Sequence, residues 1–175
     1  MNYANIKPID SVDGEGIRVS LFVSGCHFHC SGCQNVEQWD YKCGIKFTNE
    51  TQKLINSLLT KSYISGFSIL GGEPLDPKNR KTVFEIIENT RRYLDETGIL
   101  TCNKTIWLWT GYTYEYLIEN NIIPGKILEK IDVIVDGLFD IAQRDITLKF
   151  RGSRNQRVID VKKSLELNSV VCWCE

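Results

Sequence analysis

Apolar positions along the chain switch between two periods. In RVSLFVSG, residues 18–25, Val19, Leu21 and Val23 alternate, and Phe22 makes the opposite face apolar too, as in a strand covered on both sides. FTNETQKLINSLLTKS, residues 47–62, follows the helical period instead, with Thr48 as N-cap and Leu54, Ile55, Leu58 and Leu59 on one face. FSILGG, 67–72, is a second strand stopped by glycines. DPKNRKTVFEIIENTRRYL, 76–94, is a second helix, with Asp76 as N-cap, Pro77 in the first turn and a buried stripe of Val83, Ile86, Ile87 and Leu94. TIWLWTG gives a third strand, TYEYLIENN (opened by Thr113) and PGKILEKI two short helices, and DVIVDG a fourth strand. Further on, ITLKF and RVIDV read as short strands around the polar turn RGSRNQ, and the pattern fades after Val161.

Strands and helices alternating at these lengths predict an α/β fold with a parallel sheet and right-handed crossovers. In such folds ligands bind beyond the C-terminal ends of the strands. Strand one runs into a cysteine loop, strand two into GGEP, strand three into WTGY and strand four into DG, so four unusual clusters share one predicted rim. No repeat, low-complexity tract or long linker divides the chain, which reads as a single domain over residues 1–175.

Composition narrows the function classes. The chain is 42% hydrophobic and 25% charged with a formal net charge of −1, an ordinary globular balance that gives no electrostatic case for nucleic acid or membrane. No apolar run approaches the ~20 residues that span a bilayer. MNYANIKPIDSVDGEG has neither the basic nor the apolar region of a secretory signal, so the expected location is cytoplasmic. Seven cysteines in such a protein argue against a disulfide framework. Three of them, Cys26, Cys30 and Cys33, crowd into GCHFHCSGCQN as C-x3-C-x2-C, whereas Cys43, Cys102, Cys172 and Cys174 are scattered. Crowding is what a metal site needs; scattered thiols fit a core.

Gaps of three and two residues let one loop wrap an iron–sulfur cube. Three thiolates would hold three irons of a [4Fe–4S] cluster and leave the fourth open to an outside ligand. Zinc competes for the same loop, with His27 or His29 as fourth ligand. Against it, His29 directly precedes Cys30, and structural zinc sites usually divide their ligands into two separated pairs. In Gly71-Gly72-Glu73-Pro74 the glycines allow close backbone approach and Glu73 offers an acceptor for an ammonium group. Taken alone, that turn is a plain strand-to-helix connection. Beside a cluster with an open iron, it suits the amino end of a small zwitterion.

C-x3-C-x2-C followed by GGE resembles the radical S-adenosylmethionine (SAM) enzymes. The longer run DGEGIRVSLFVSGCHFHCSGCQNVEQWD resembles the glycyl-radical-enzyme activases. With WLWTGY, DVIVDG and RGSRNQR, residues 1 to about 158 resemble the activating proteins of anaerobic (class III) ribonucleoside-triphosphate reductases. The resemblance implies a partial, open (β/α) barrel of the radical SAM type. It implies Cys26, Cys30 and Cys33 as cluster ligands, and Gly32, Cys33, Gln34, Gly71, Gly72 and Glu73 as SAM contacts. Trp109 to Tyr112 and Asp136-Gly137 match motifs lining the same pocket. It also implies two partners, the large subunit of the reductase and a one-electron donor such as a flavodoxin or ferredoxin. With four or five strands the barrel would stay open on one side, which suits a macromolecular substrate.

Two departures stand out. Glu15 replaces the proline common in the N-terminal turn of this family. Gly32 stands where many radical SAM enzymes carry an aromatic residue, and glycine there is usual in the narrower group. The Cys172-Trp173-Cys174 tail lies beyond the match; a C-x-C pair could bind a metal, exchange disulfides or form a disordered end, and the last is the favoured reading. An activase of pyruvate formate-lyase or another glycyl radical enzyme remains a second reading. Those chains are typically longer, and the dehydratase type carries a cysteine-rich insert where this chain has only Cys43. A zinc-stabilised binding module is the non-enzymatic alternative.

Overall fold

A computed structural model describes residues 1–98 and 104–173. Seven strands form one open sheet in the order β3-β1-β2-β4-β5-β6-β7: β1 Asn2–Asp10, β2 Arg18–Val23, β3 Ile45–Lys46, β4 Gly66–Gly71, β5 Thr105–Trp109, β6 Val133–Asp136 and β7 Arg157–Asp160. The central strands β2, β4, β5 and β6 are parallel and adjacent in chain order. β1 and β3 on one side and β7 on the other are antiparallel.

The helices are α1 Asn49–Leu59, α2 Arg80–Glu96, α3 Tyr114–Glu119, α4 Gly125–Leu128 and α5 Val161–Leu167. Each of them contributes to one apolar cluster with Val19, Leu21, Phe67, Ile69, Ile106, Leu108, Ile134 and Ile159 from the strands. That is the expected result when successive parallel strands are neighbours and every crossover is right-handed: the helices collect on a single face.

The other face is lined by alternate residues. Trp107, Val133, Val135 and Val158 pack there with Trp109, Phe150 and Trp173. Arg18 projects onto the same side with none of its surface exposed. Its Nε donates to Ser68 Oγ (2.7 Å), Nη1 to Glu15 O and Thr105 Oγ1, and Nη2 to Phe67 O (2.8 Å) and Thr105 O (2.9 Å). The guanidinium also lies 5.1 Å from the Trp107 ring centre. Neutral acceptors saturate a buried cation here, and burial pulls its pKa down to about 9. The expectation of an apolar second face on β2 therefore fails at Arg18 and Ser20, both fully buried.

Several expected elements shift. Seven strands replace the four or five expected. β1 went unread because it is polar, contains Pro8, and meets β3 only at Asn2 and Tyr3, so most of its outer edge faces away from any ladder. Leu54 is exposed; the buried stripe of α1 runs through Thr51, Gln52, Ile55 and Leu59. Thr48 does cap α1, in a reciprocal box with Thr51. The second helix begins at Arg80, after a turn headed by Asp76, so Asp76 is not its N-cap. ITLKF is not a strand: Asp145 Oδ1 accepts from both the backbone N–H and the hydroxyl of Thr147, which folds the segment into a turn. RVIDV is a strand as far as Asp160, whose carboxylate caps α5. At the expected disordered end, Cys172 bridges Ile159 and Trp173 packs edge-on against Trp107, 5.7 Å between ring centres.

Replacing Arg18 with leucine removes the donors to Ser68 Oγ, Thr105 Oγ1 and the Phe67 and Thr105 carbonyls. The variant is expected to lose about 3 kcal/mol of stability in chemical denaturation of the metal-free protein. A loss below about 1 kcal/mol would show that the guanidinium does not organise the inner face.

Candidate metal centre

The loops leaving β2, β4, β5 and β6 surround one open cavity of about 400 Å³. The cysteine loop is closed at its root, where Gly25 N–H donates to Gln38 O (2.7 Å) and Cys26 N–H to Trp39 O (3.2 Å). Gly25 sits at φ +96°, and a Cβ there would lie 2.1 Å from the Tyr41 ring. Inside the loop, Cys26, Cys30 and Cys33 all border the cavity. Asn35 N–H donates to Cys33 Sγ (3.3 Å), and the backbone N–H groups of Phe28 and His29 lower the Cys26 pKa as that of Phe139 lowers the Cys30 pKa.

Burial nevertheless raises the Cys26 and Cys30 pKa values, and the Glu73 carboxylate and a neighbouring thiolate push the same way. At Cys26 and Cys30 the site disfavours the bare thiolate, which fits a cationic iron–sulfur core that would supply the missing charge. Among the described residues no three His, Cys, Asp or Glu side chains converge tightly enough for a single metal ion. A cube takes its thiolates at separate corners, so convergence is not what it asks of the loop. Both histidines are engaged elsewhere. His27 Nδ1 lies 2.6 Å from Asp76 Oδ2, and the His29 ring stacks on Trp39 at 4.6 Å.

The second rim segment is bonded to the first. Gly72 N–H donates to Val23 O and Glu73 N–H to Gly25 O, both at 2.8 Å, and a Cβ on Gly72 would lie 2.6 Å from Gly25 O. Asn79 Nδ2 donates to Ser24 O, Gly25 O and Glu73 O, clamping both turns from below. Glu73 is 2% exposed. Its Oε1 accepts from Leu75 N–H and the Thr110 hydroxyl, and its Oε2 from Gly111 N–H, all at 2.8 Å. Burial outweighs these donors and pushes its pKa up to about 7.

Gly111 brings in the third segment, since a Cβ there would be 2.6 Å from the Phe28 ring that covers it. The fourth segment enters at Gly137 and Leu138, held by Gln156 Nε2 to Gly137 O (3.0 Å) and Asn155 Nδ2 to Leu138 O (2.7 Å).

Of the residues singled out in the sequence, Cys26, Cys30, Cys33, Gln34, Gly71, Gly72 and Glu73 line the cavity, with Trp109, Thr110, Gly111 and Gly137. Gly32 is not among the lining residues; at φ +73° it makes room for Ile141, whose Cδ1 would lie 2.6 Å from an added Cβ. Tyr112 faces His27, Phe28 and Tyr116 instead. Asp136 is turned away: it caps α3 through Tyr114 N–H and pairs with Arg157. Cys43 is half-buried and Cys172 exposed, while Cys102 and Cys174 lie outside the described residues.

Sequence reasoning missed Asn79, Asp13 and the network of His27, Tyr41 and Asp76. The only available signal was the density of polar residues in EPLDPKN, which also fits an exposed helix start. Asp13 borders the cavity beside Asp10 and Lys7. Burial, reinforced by Asp10, pushes its pKa up to about 7.

A family model described as a 4Fe-4S single cluster domain matches residues 12–159. Curated relatives named anaerobic ribonucleoside-triphosphate reductase-activating protein are similar over nearly the whole chain. The one from Enterobacteria phage T4 is 40% identical over 160 residues, 90% of this chain and 93% of its own. That from Vibrio cholerae is 39% identical over 158 residues, 89% and 96% of the two chains. That from Escherichia coli K12 is 37% identical over 160 residues, 90% and 97%.

Two outcomes are expected. Anaerobically reconstituted wild type should carry iron and sulfide in near-equal amounts and absorb in the visible, whereas Cys26→Ala should lose most of both; equal iron in the two would remove Cys26 from the ligand set. In the metal-free protein, the proton on Asp13 stabilises the fold fully below about pH 4, and that stabilisation is lost as pH rises through about 7. Denaturation curves of wild type and Asp13→Asn should therefore diverge between these limits, with wild type falling. Parallel profiles would contradict the burial of Asp13.

Proposed function

The chain belongs to the family of anaerobic ribonucleoside-triphosphate reductase-activating proteins, and from that premise we propose that it activates such a reductase by cleaving SAM reductively at a [4Fe–4S] cluster on Cys26, Cys30 and Cys33. When bound and reduced, the cluster would supply the one electron needed to split the S–C5′ bond of SAM into methionine and a 5′-deoxyadenosyl radical, the species that would take a hydrogen atom from a glycine Cα of the large subunit of the reductase.

The chain's own residues bind and orient. Cys26, Cys30 and Cys33 would hold the cluster through their thiolates and leave one iron free for the amine and carboxylate of SAM. Glu73 Oε2 accepts one hydrogen bond within the protein and keeps a lone pair for the ammonium group. Gly71 and Gly72, without side chains, let the backbone approach it, and Gln34 borders the same space. Phe28, Trp39, Leu70, Trp109 and Phe150 form an apolar wall suited to the adenosine and to excluding water.

The open sheet is read as the partial (β/α) barrel of the radical SAM type. An unclosed side supports a protein substrate, because a folded reductase has to present its glycine loop from outside. A one-electron donor such as a flavodoxin or ferredoxin completes the scheme, set in the cytoplasm. The observation carrying this reading is the three-thiolate loop and the Glu73 turn meeting on one cavity.

Anaerobic incubation of the reconstituted chain with SAM, a reductant and the reductase should give a glycyl doublet in the electron paramagnetic resonance spectrum, absent with Cys30→Ala. No doublet from wild type would overturn the proposal. A doublet only with pyruvate formate-lyase in place of the reductase would move the substrate assignment.

A further inference from the structure

The loop after β6 holds a cation that the scheme above leaves unused. Arg151 borders the same cavity as the three cysteines, and its Nε is buried with no hydrogen-bond partner. Among the described residues no carboxylate lies within ion-pair distance of it: Asp145 is taken by Arg154 at 3.0 Å, and Asp13 faces Lys7 at 3.6 Å. Arg144, the other basic residue at the cavity, is exposed to solvent. Arg151 is thus the half-buried positive group of the site.

Its placement is built. Phe150 adopts φ +63°, a left-handed conformation uncommon for an aromatic residue, and is held there from both sides. Its carbonyl accepts from Trp109 Nε1 (2.9 Å), and its ring packs edge-on against Trp107 (5.2 Å). On the far side, Gly152 N–H donates to Gln156 Oε1 (2.9 Å), and Gln156 reaches back to Gly137 O. A left-handed residue before Arg151 and a fastened turn after it hold its backbone at the cavity wall. An unpartnered buried N–H is costly to keep, and a shift of the side chain towards an acceptor bound in the cavity would relieve that cost.

We propose that Arg151 is the carboxylate-binding residue of this site and pairs with the methionyl carboxylate of SAM. The proposal rests on the SAM reading given above. Charge complementarity supports it: Glu73 offers an acceptor to the ammonium group of the ligand, and Arg151, on the same cavity, offers a cation to the one anionic group that ligand has. Arg151 is a binding residue; it exchanges no electron or proton with the substrate.

The test measures equilibrium binding to the reconstituted, oxidised protein of two ligands, SAM and its decarboxylated analogue, which keeps the amine, the sulfonium and the adenosine. Arg151→Met should weaken SAM by at least about tenfold and the analogue by less than about twofold, with unchanged iron content. Arg151→Lys should recover part of the difference. Arg154→Met, the same charge change on the same loop but outside the cavity, should alter neither. Equal weakening of both ligands by Arg151→Met would make Arg151 a packing residue and overturn the proposal, as would no weakening of either. Failure of wild type to bind SAM would overturn the SAM reading itself, a result visible before any variant is made.

Discussion

A single buried carboxylate holds the rim together. Glu73 leaves the end of β4, yet both its oxygens are claimed by the loop after β5 and by its own turn. Its backbone N–H meanwhile donates to Gly25, at the root of the cysteine loop. One residue therefore fixes the spacing of three strand ends. Such a tie costs free energy, because an anion is being kept out of water, and the upward pKa shift of Glu73 is the sign of that cost. Natural folds concentrate costs of this kind where geometry must be exact to a fraction of an ångström, and here that place is the wall of the metal centre.

The distribution of helices makes the cavity possible. Because β2, β4, β5 and β6 are neighbours in chain order, α1 to α5 crowd one face of the sheet and leave the other free. Towards the N-terminal ends of the strands that free face is filled by Arg18, Trp107 and Trp173; towards the C-terminal ends it opens into the site. The antiparallel strands β1 and β7 widen the sheet without closing it. Each end of the inner face thus has its own task, packing at one and ligand binding at the other.

Much of this was legible in the chain itself. The four central strands, four of the helices and the coincidence of cysteines, GGEP, WTGY and DG on one rim all follow from periodicity and the strand-end rule. So do the Thr48 and Thr113 caps, which act locally. What stayed hidden depends on partners distant in sequence. Arg18 reads as a surface cation until Ser68 and Thr105 surround it, 50 and 87 residues away. Asp76 resembles a helix cap, but His27 and Tyr41 claim its carboxylate. Gly32 was matched to a ligand contact by family pattern, whereas its conformation and the nearby Ile141 give it a packing reason. Arg151 sat within a noted motif, with nothing local to say that its guanidinium would lack a partner.

The central claim is that three thiolates hold the cluster and leave one iron to be chelated by SAM. Electron–nuclear double resonance of the reduced, reconstituted protein, with SAM labelled by 15N at the amine and 17O at the carboxylate, tests it most directly. Both nuclei should show couplings that require direct attachment to a cluster iron. A spectrum without either coupling, although SAM is bound, would mean that another group closes the fourth corner and would contradict the claim.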